Sequence, residues 1–286
     1  MALARMMGRL AFYTVWRQRN KTIENLQFAF GHEKTKQEIK ALAVMIFENI
    51  AMTAAELLKF PQLSPERIQK LVEAGNAADI YKRLLSEGKG LISLTAHIGN
   101  WELLAGSMAA LGFKGGVIAR RVYYEPFNRW IVGLRQAVQV PTIYRDESPR
   151  ELLKILKNNQ IVGILPDQDI ESLKSIFVPF LGRPAYTPVA PAKLSLASGA
   201  PILPNFLIRT NGGGYRLVLG DVIRPEAFNS SDREQAVEEI TQAWMKACEE
   251  VIRKHPEQWA WMHNRWKTRP DDPRFFKTAQ DAKANA

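Results

Sequence analysis

In LISLTAHIGNWELLAG, residues 91–106, a histidine and a glutamate stand at H-x4-E spacing just after an apolar run. An imidazole with a pKa near 6.5 is largely a free base at neutral pH, and it can take the proton from an alcohol as that alcohol attacks an acyl carbon. A carboxylate beside it would hold the useful tautomer and stabilise the imidazolium. On one continuous helix five positions would set His97 and Glu102 about 140° apart. Asn100 between them is a good N-cap residue, so the spacing predicts His97 in a strand-to-helix turn and Glu102 in the first helical turn. There the helix dipole favours the carboxylate, and free N–H groups near Asn100 could meet a developing oxyanion. The chain has no G-x-S-x-G elbow, which counts against a covalent acyl-enzyme of the α/β-hydrolase kind. Taken singly, the two residues also suit an ordinary turn histidine and a helix N-terminal acid.

Elements must exist to position such a pair. After Gly75 short β-type runs (LISLTA, GGVIAR, VPTIY, IVGILPD, APILPNFLIR, YRLVLGD) alternate with helical stretches at 100–111, 126–139, 148–158 and 188–199. That pattern predicts an α/β fold, a mainly parallel mixed sheet flanked by helices. A helix from Ser231 to Lys254 closes it, and the chain after Pro270 reads as loose. In open α/β sheets chemistry sits beyond the carboxyl ends of the strands. His97 follows LISLTA and Asp167 follows IVGILP, so the two can face one crevice.

Ahead of this core the spacing predicts an N-terminal helical segment. Leu3, Met6, Met7, Leu10 and Thr14 recur at helical intervals beside Arg5, Arg9, Arg17 and Arg19, a basic amphipathic helix that could lie on a membrane or pack on the domain. Residues 34–60 read as one long half-buried helix, and Ser64 caps a second one running to Ala74. The expected division is therefore 1–75 as a helical, membrane- or acyl-chain-associated segment, 76–270 as the α/β core and 271–286 as a flexible tail.

Net charge narrows the partners. With 39 basic and 29 acidic side chains the chain carries +10, which favours anionic partners such as phosphorylated lipid, a membrane surface, nucleic acid or an acidic carrier protein. The single cysteine, Cys248, excludes an internal disulfide and fits a reducing compartment; its spacing with Val237, Ile240, Trp244 and Val251 predicts a buried thiol. No apolar run approaches the roughly 20 residues that span a bilayer.

Arg120 and Arg121 follow a predicted strand end, where guanidinium forks suit phosphate or plain solvation. Asp167 and Asp169 flank a glutamine, a spacing that would permit a metal, although no third ligand is evident. In HPEQWAWMHNRWKTRP, residues 255–270, Trp259, Trp261 and Trp266 are interleaved with cations. Such mixing suits a membrane interface, single-stranded nucleic acid, or tryptophans buried in the core.

HIGNWELL, ARRVYYEPFNRW followed by Arg135, LPDQD at 165–169, VPFLGRPAYTP at 178–188 and HPEQWAWMHNRWKTRP together resemble the late, or secondary, acyltransferases of lipid A biosynthesis, lauroyl and myristoyl transferases of the lysophospholipid acyltransferase superfamily. The resemblance is colinear from about Asn20 to Pro270. It implies a glycerol-3-phosphate-acyltransferase-like fold on the cytoplasmic face of the bacterial inner membrane, bound peripherally or through a short N-terminal anchor. The implied reaction moves a fatty acyl chain from acyl carrier protein to a hydroxyl of an anionic lipid A precursor, with no cofactor, no metal and no nucleic-acid partner. His97 takes the general-base role, Glu102 the supporting one, and Asp167 aligns with a motif acid near the histidine. Arg121 and Arg135, with Arg120 and Asn100, are the implied substrate-binding residues. Glu125-Pro126 departs from the family's usual Asn-Pro, in a region expected to meet the acceptor. Acyl transfer to a lysophospholipid or mannosylated glycolipid, acyl-CoA as the donor, and an inert lipid-binding protein are the competing readings.

Overall fold

The computed structural model of the protein describes residues 1–145, 149–228 and 232–272. Four helices come first: α1 (Ala2–Thr14), α2 (Trp16–Phe30), α3 (Lys36–Leu57) and α4 (Pro65–Leu71). Thr35 and Glu38 form a capping box that starts α3, and the Ser64 side chain accepts from the Arg67 N–H ahead of Pro65 to start α4. The basic stretch expected as one helix is two, because the backbone leaves helical geometry at Val15 (φ −94°, ψ 67°).

α1 is turned the opposite way from an ordinary surface helix. Ala4, Gly8 and Phe12 are its buried face, packed on α3. A Cβ on Gly8 would lie 2.6 Å from the Phe47 carbonyl oxygen, so the absence of a side chain permits this approach. The larger apolar residues Leu3, Met6, Met7, Leu10 and Tyr13, with Trp16 at the start of α2, point out, each between 57% and 65% exposed.

The remaining elements are β1 (Val72–Glu73), α5 (Ala77–Leu85), β2 (Leu91–Leu94), α6 (Trp101–Ala110), β3 (Gly115–Ala119), α7 (Glu125–Ala137), β4 (Thr142–Tyr144), α8 (Pro149–Lys157), β5 (Ile161–Ile164), β6 (Ser175–Phe180), β7 (Arg183–Pro188), α9 (Ala190–Ser198), β8 (Ile202–Arg209), β9 (Tyr215–Leu219) and α10 (Arg233–Lys254). Each of the six β-type runs forms a strand. Seven strands make one sheet in the order β1-β9-β8-β2-β5-β3-β4. The five from β8 to β4 run parallel, while β9 lies antiparallel on β8 and β1 parallel to β9. Side chains that alternate along β2 feed two cores: Ile92 and Leu94 join the cluster with α1–α3 and α8–α10, and Leu91 joins the one with α4–α6. Cys248 is buried on α10, as its spacing implies.

Three further features depart from the sequence reading. The helix expected to run to Ala74 stops at Leu71 and gives way to β1, which pairs with β9. α5 was not anticipated, and neither was the antiparallel hairpin β6–β7, whose turn places Leu181 and Gly182 at positive φ. Gly182 is the one local turn signal, whereas Leu181 beside it is an uncommon residue for a positive φ. The loose tail expected after Pro270 lies, from residue 273 on, outside the described residues.

Candidate active site

The turn that carries His97 is held from three directions. Its Gly99 and Asn100 N–H groups donate to Gln258 and Leu207 carbonyls at 3.0 and 2.9 Å, the His97 carbonyl accepts from Ala260 N–H at 2.9 Å, and Thr53 on α3 donates to the Gly99 carbonyl at 3.1 Å. Gly99 has φ +61°, and a Cβ there would sit 2.0 Å from the Leu207 oxygen. Gly99→Ala is therefore expected to lower the thermal midpoint, the left-handed backbone alone costing about 1–3 kcal/mol, with the clash added. Thermal denaturation of the variant checks this.

Asn100 is fully buried, and its polar atoms are engaged. Its Oδ1 caps α6 through Leu103 N–H at 2.9 Å, and its Nδ2 donates to Glu56 at 2.8 Å and to the Tyr215 hydroxyl at 3.3 Å. Glu56 in turn accepts from Arg209 and from Tyr215. Asn100 thus organises the turn from inside and does not face the crevice where a substrate would enter.

β2 and β5 are neighbours, so the segments leaving their carboxyl ends meet. His97 Nδ1 lies 2.7 Å from Asp167 Oδ1. The other oxygen of Asp167 accepts the His97 N–H at 2.8 Å and the Trp259 indole N–H at 2.9 Å. An ionised Asp167 only accepts, so the proton sits on Nδ1 and leaves the Nε2 lone pair available. Burial works against charge on both groups, yet the attraction and hydrogen bond between them win. His97 holds its proton more tightly than free imidazole, and Asp167 stays well below the usual carboxylate range.

This pair makes stability depend on pH. The raised histidine contributes fully below its unfolded value of about 6.5 and loses that contribution as pH rises through the higher folded value. The depressed aspartate contributes above its unfolded value of about 4 and loses it as pH falls. The gap in thermal midpoint between wild type and His97→Ala is expected to peak between about pH 4 and 6.5 and to narrow on both sides.

Glu102 does not take the place beside the imidazole that H-x4-E implied. Its carboxylate forks onto Arg135 of α7, Oε2 from Nε at 2.8 Å and Oε1 from Nη2 at 2.7 Å, with both side chains about 15% exposed. The physical reason is the start of α6 at Trp101, which turns Glu102 toward α7 while Asp167 reaches Nδ1 across the sheet. Arg120 and Arg121 leave β3 at the same edge, two strand spacings, about 10 Å, from β2. Both are exposed, and the Arg121 guanidinium lies 3.8 Å over the Tyr144 ring.

The D-x-D spacing resolves into two separate jobs. Asp167 serves His97, while Asp169 accepts from the Thr268 backbone and hydroxyl at 2.9 and 3.0 Å. Among the described residues no group of three or more His, Cys, Asp or Glu could hold a metal ion. Of the alternatives for the tryptophan-rich segment, the core claims Trp259 and Trp261, both buried, and Trp266 stacks on Phe180. Buried Arg265, its pKa pushed down to about 10 by desolvation, ties the segment to β7 through the Tyr186 carbonyl and Thr187 hydroxyl at 2.6 Å each.

Three residues beside the imidazole were not assigned to the site from sequence: Trp259 on Asp167, Gln168 against His97, and His263, whose ring centroid is 5.5 Å from that of His97. Each had a signal only in hindsight, within the DQD and WAWMHNRW strings. An apolar slot opens under α6. Thr95, Trp101 and Leu165 line it near the strand ends, and Phe113, Gly115 and Val140 line it at the other end. None of its lining residues comes from 1–75.

A mainly parallel α/β sheet carries a histidine–aspartate pair beyond the carboxyl ends of its strands, near an apolar slot, an arrangement suited to an enzyme that handles an apolar group. The model of the bacterial lipid A biosynthesis acyltransferases matches residues 1–268, and the chain belongs to that family. It is an acyltransferase. The lipid A biosynthesis lauroyltransferase of Escherichia coli K12 is 28% identical over 93% of this chain and 84% of its own length. The palmitoleoyltransferase of the same organism is 26% identical over 94% and 85%, and a phosphatidylinositol mannoside acyltransferase of Mycobacterium tuberculosis is 24% identical over 74% and 66%.

Proposed function

We propose that the enzyme moves a fatty acyl chain from the thioester of acyl carrier protein to a hydroxyl of a lipid A precursor, with His97 as general base. The observation that carries this reading is the Asp167–His97 hydrogen bond, with an apolar slot lined by Thr95 and Leu165, two residues before each, and by Trp101, whose ring is 5.4 Å from that of His97. The acceptor hydroxyl gives its proton to Nε2 as its oxygen attacks the thioester carbonyl carbon. Charge developing on the carbonyl oxygen is met by backbone N–H groups at the start of α6. Collapse breaks the carbon–sulfur bond, and the carrier thiolate takes the proton back from the imidazolium. The base must be neutral, and its proton affinity is raised, so the acid limb of the rate profile falls above pH 6.5.

The acyl chain lies in the slot under α6, along β3 and β5. Arg120, Arg121 and Arg135 meet acceptor phosphate, and the positive charge of the protein draws in both acidic substrates. Among the described residues no helix is long and apolar enough to cross a membrane. The outward apolar stripe of α1, with Arg5, Arg9, Arg17 and Arg19 near it and no acidic residue before Glu24, supports docking in the plane of the cytoplasmic face of the inner membrane.

Transfer of labelled acyl chains from acyl carrier protein to a tetraacylated lipid A precursor in detergent micelles is the direct test. Product from wild type, with preference moved to shorter chains in Ala105→Leu, which narrows the slot, is the expected result. A second reading, a mannosylated glycolipid as acceptor, is favoured by the mycobacterial relative. Product only with that acceptor would replace the first.

A further inference from the structure

The Gln168 side chain stands against the ring that the mechanism uses. Its amide nitrogen is 3.3 Å from Nδ1 and 3.2 Å from Nε2 of His97. Those ring nitrogens flank one carbon and point in diverging in-plane directions, and the Nδ1 direction is already taken by Asp167. A nitrogen equally near both lies across the face of the ring, not along either lone pair. The in-plane side of Nε2 is thereby left for an acceptor hydroxyl.

The same amide nitrogen is 2.9 Å from Nε2 of His263. An amide nitrogen donates and has no lone pair to offer, so His263 is the acceptor and is neutral, with its proton on Nδ1. Burial, and then the nearby His97, work in that direction. The charged and titratable groups facing His97 are then Asp167 beyond β5, Glu102 on α6 as a weaker pull, and His263 through Gln168. Burial opposes the imidazolium, the two carboxylates favour it, and among the side chains touching the ring the partly positive amide N–H group is the one set against it.

We propose that Gln168, pinned by His263, is a positioning residue that fixes the plane of His97 and restrains its basicity, so that the proton taken from the acceptor can be given up to the leaving thiolate. This inference rests on the general-base reading of His97. Without the restraint Asp167 would hold the imidazolium too firmly, and the free base would be scarce at neutral pH.

The test is a pH titration of the full chain in detergent micelles, labelled with ¹³C at histidine Cε1 and assigned through single His→Gln variants, beside pH profiles of transfer. In Gln168→Leu the titration of His97 is expected to move up by about half to one pH unit, the effect of one lost polar contact. The acid limb should move with it, and transfer at pH 7 should fall several-fold and recover in alkali. His263→Leu, which unpins the amide, should give the same shift, while His263→Gln, which keeps an acceptor where Nε2 stands, should stay close to wild type. An unmoved His97 titration in Gln168→Leu and His263→Leu overturns the proposal, as does a loss of rate that is equal at every pH. The titration is read on the resting protein, so absence of transfer in wild type would sink the acyl-transfer reading and still leave this one decided.

Discussion

Acyl transfer by the His97→Ala protein is expected to fall by about 10²–10⁴-fold, the usual contribution of a positioned general base. Asp167→Asn should come close to the same loss by a different route. An asparagine amide can turn a donor toward Nδ1, which would leave that nitrogen unprotonated, place the proton on Nε2 and block the atom that must accept. Because both substitutions remove one function, the double variant should be no slower than either single one by more than a few-fold. Steady-state transfer rates for the three proteins check this. Rates that multiply, with Asp167→Asn costing only a few-fold alone, would show that Asp167 does not act through His97.

Glu102 and Arg135 carry the second large effect. Each is the other's bidentate partner, with little exposure left, so Glu102→Ala or Arg135→Ala strands a charge. A loss of about 1–3 kcal/mol of stability is expected for each, less than for a fully buried pair. Transfer should drop about tenfold or more in both, with a raised KM for the acceptor, while the acid limb moves only slightly, and downward, in Glu102→Ala, where the weaker of the two carboxylate pulls on His97 is lost. The double variant should regain stability without regaining transfer. If Glu102 instead served His97 directly, Glu102→Gln would shift the acid limb strongly and Arg135→Ala would not reproduce its kinetics.

Glu102 shows where spacing stops being informative. H-x4-E puts two suitable groups near one turn, but the direction of a first-turn side chain depends on how α6 sits between β2 and α7. Asp167, 70 positions away in sequence, reached the imidazole because β2 and β5 pair directly. That pairing is not encoded near either residue. Asn100 is similar: its cap was readable from type and place, whereas its burial against Glu56 and Tyr215 depends on α3 and β9 arriving there.

The hydrophobic rhythm of the chain determined six of the nine described strands, the long helices and the mainly parallel class, since period and turn chemistry are local properties that tertiary contacts here reinforce. It also placed His97 and Asp167 at strand ends, where backbone groups lie free of the sheet. Only the tertiary structure decided which carboxylate orients the imidazole, that the tryptophan-rich segment is core with Trp259 bonded to Asp167, that the apolar face of α1 points outward, and that Gln168 and His263 flank the ring. Those outcomes hang on strand order and helix rotation, which arise from long-range packing of many weak contacts and leave no mark at the spacing of a few residues.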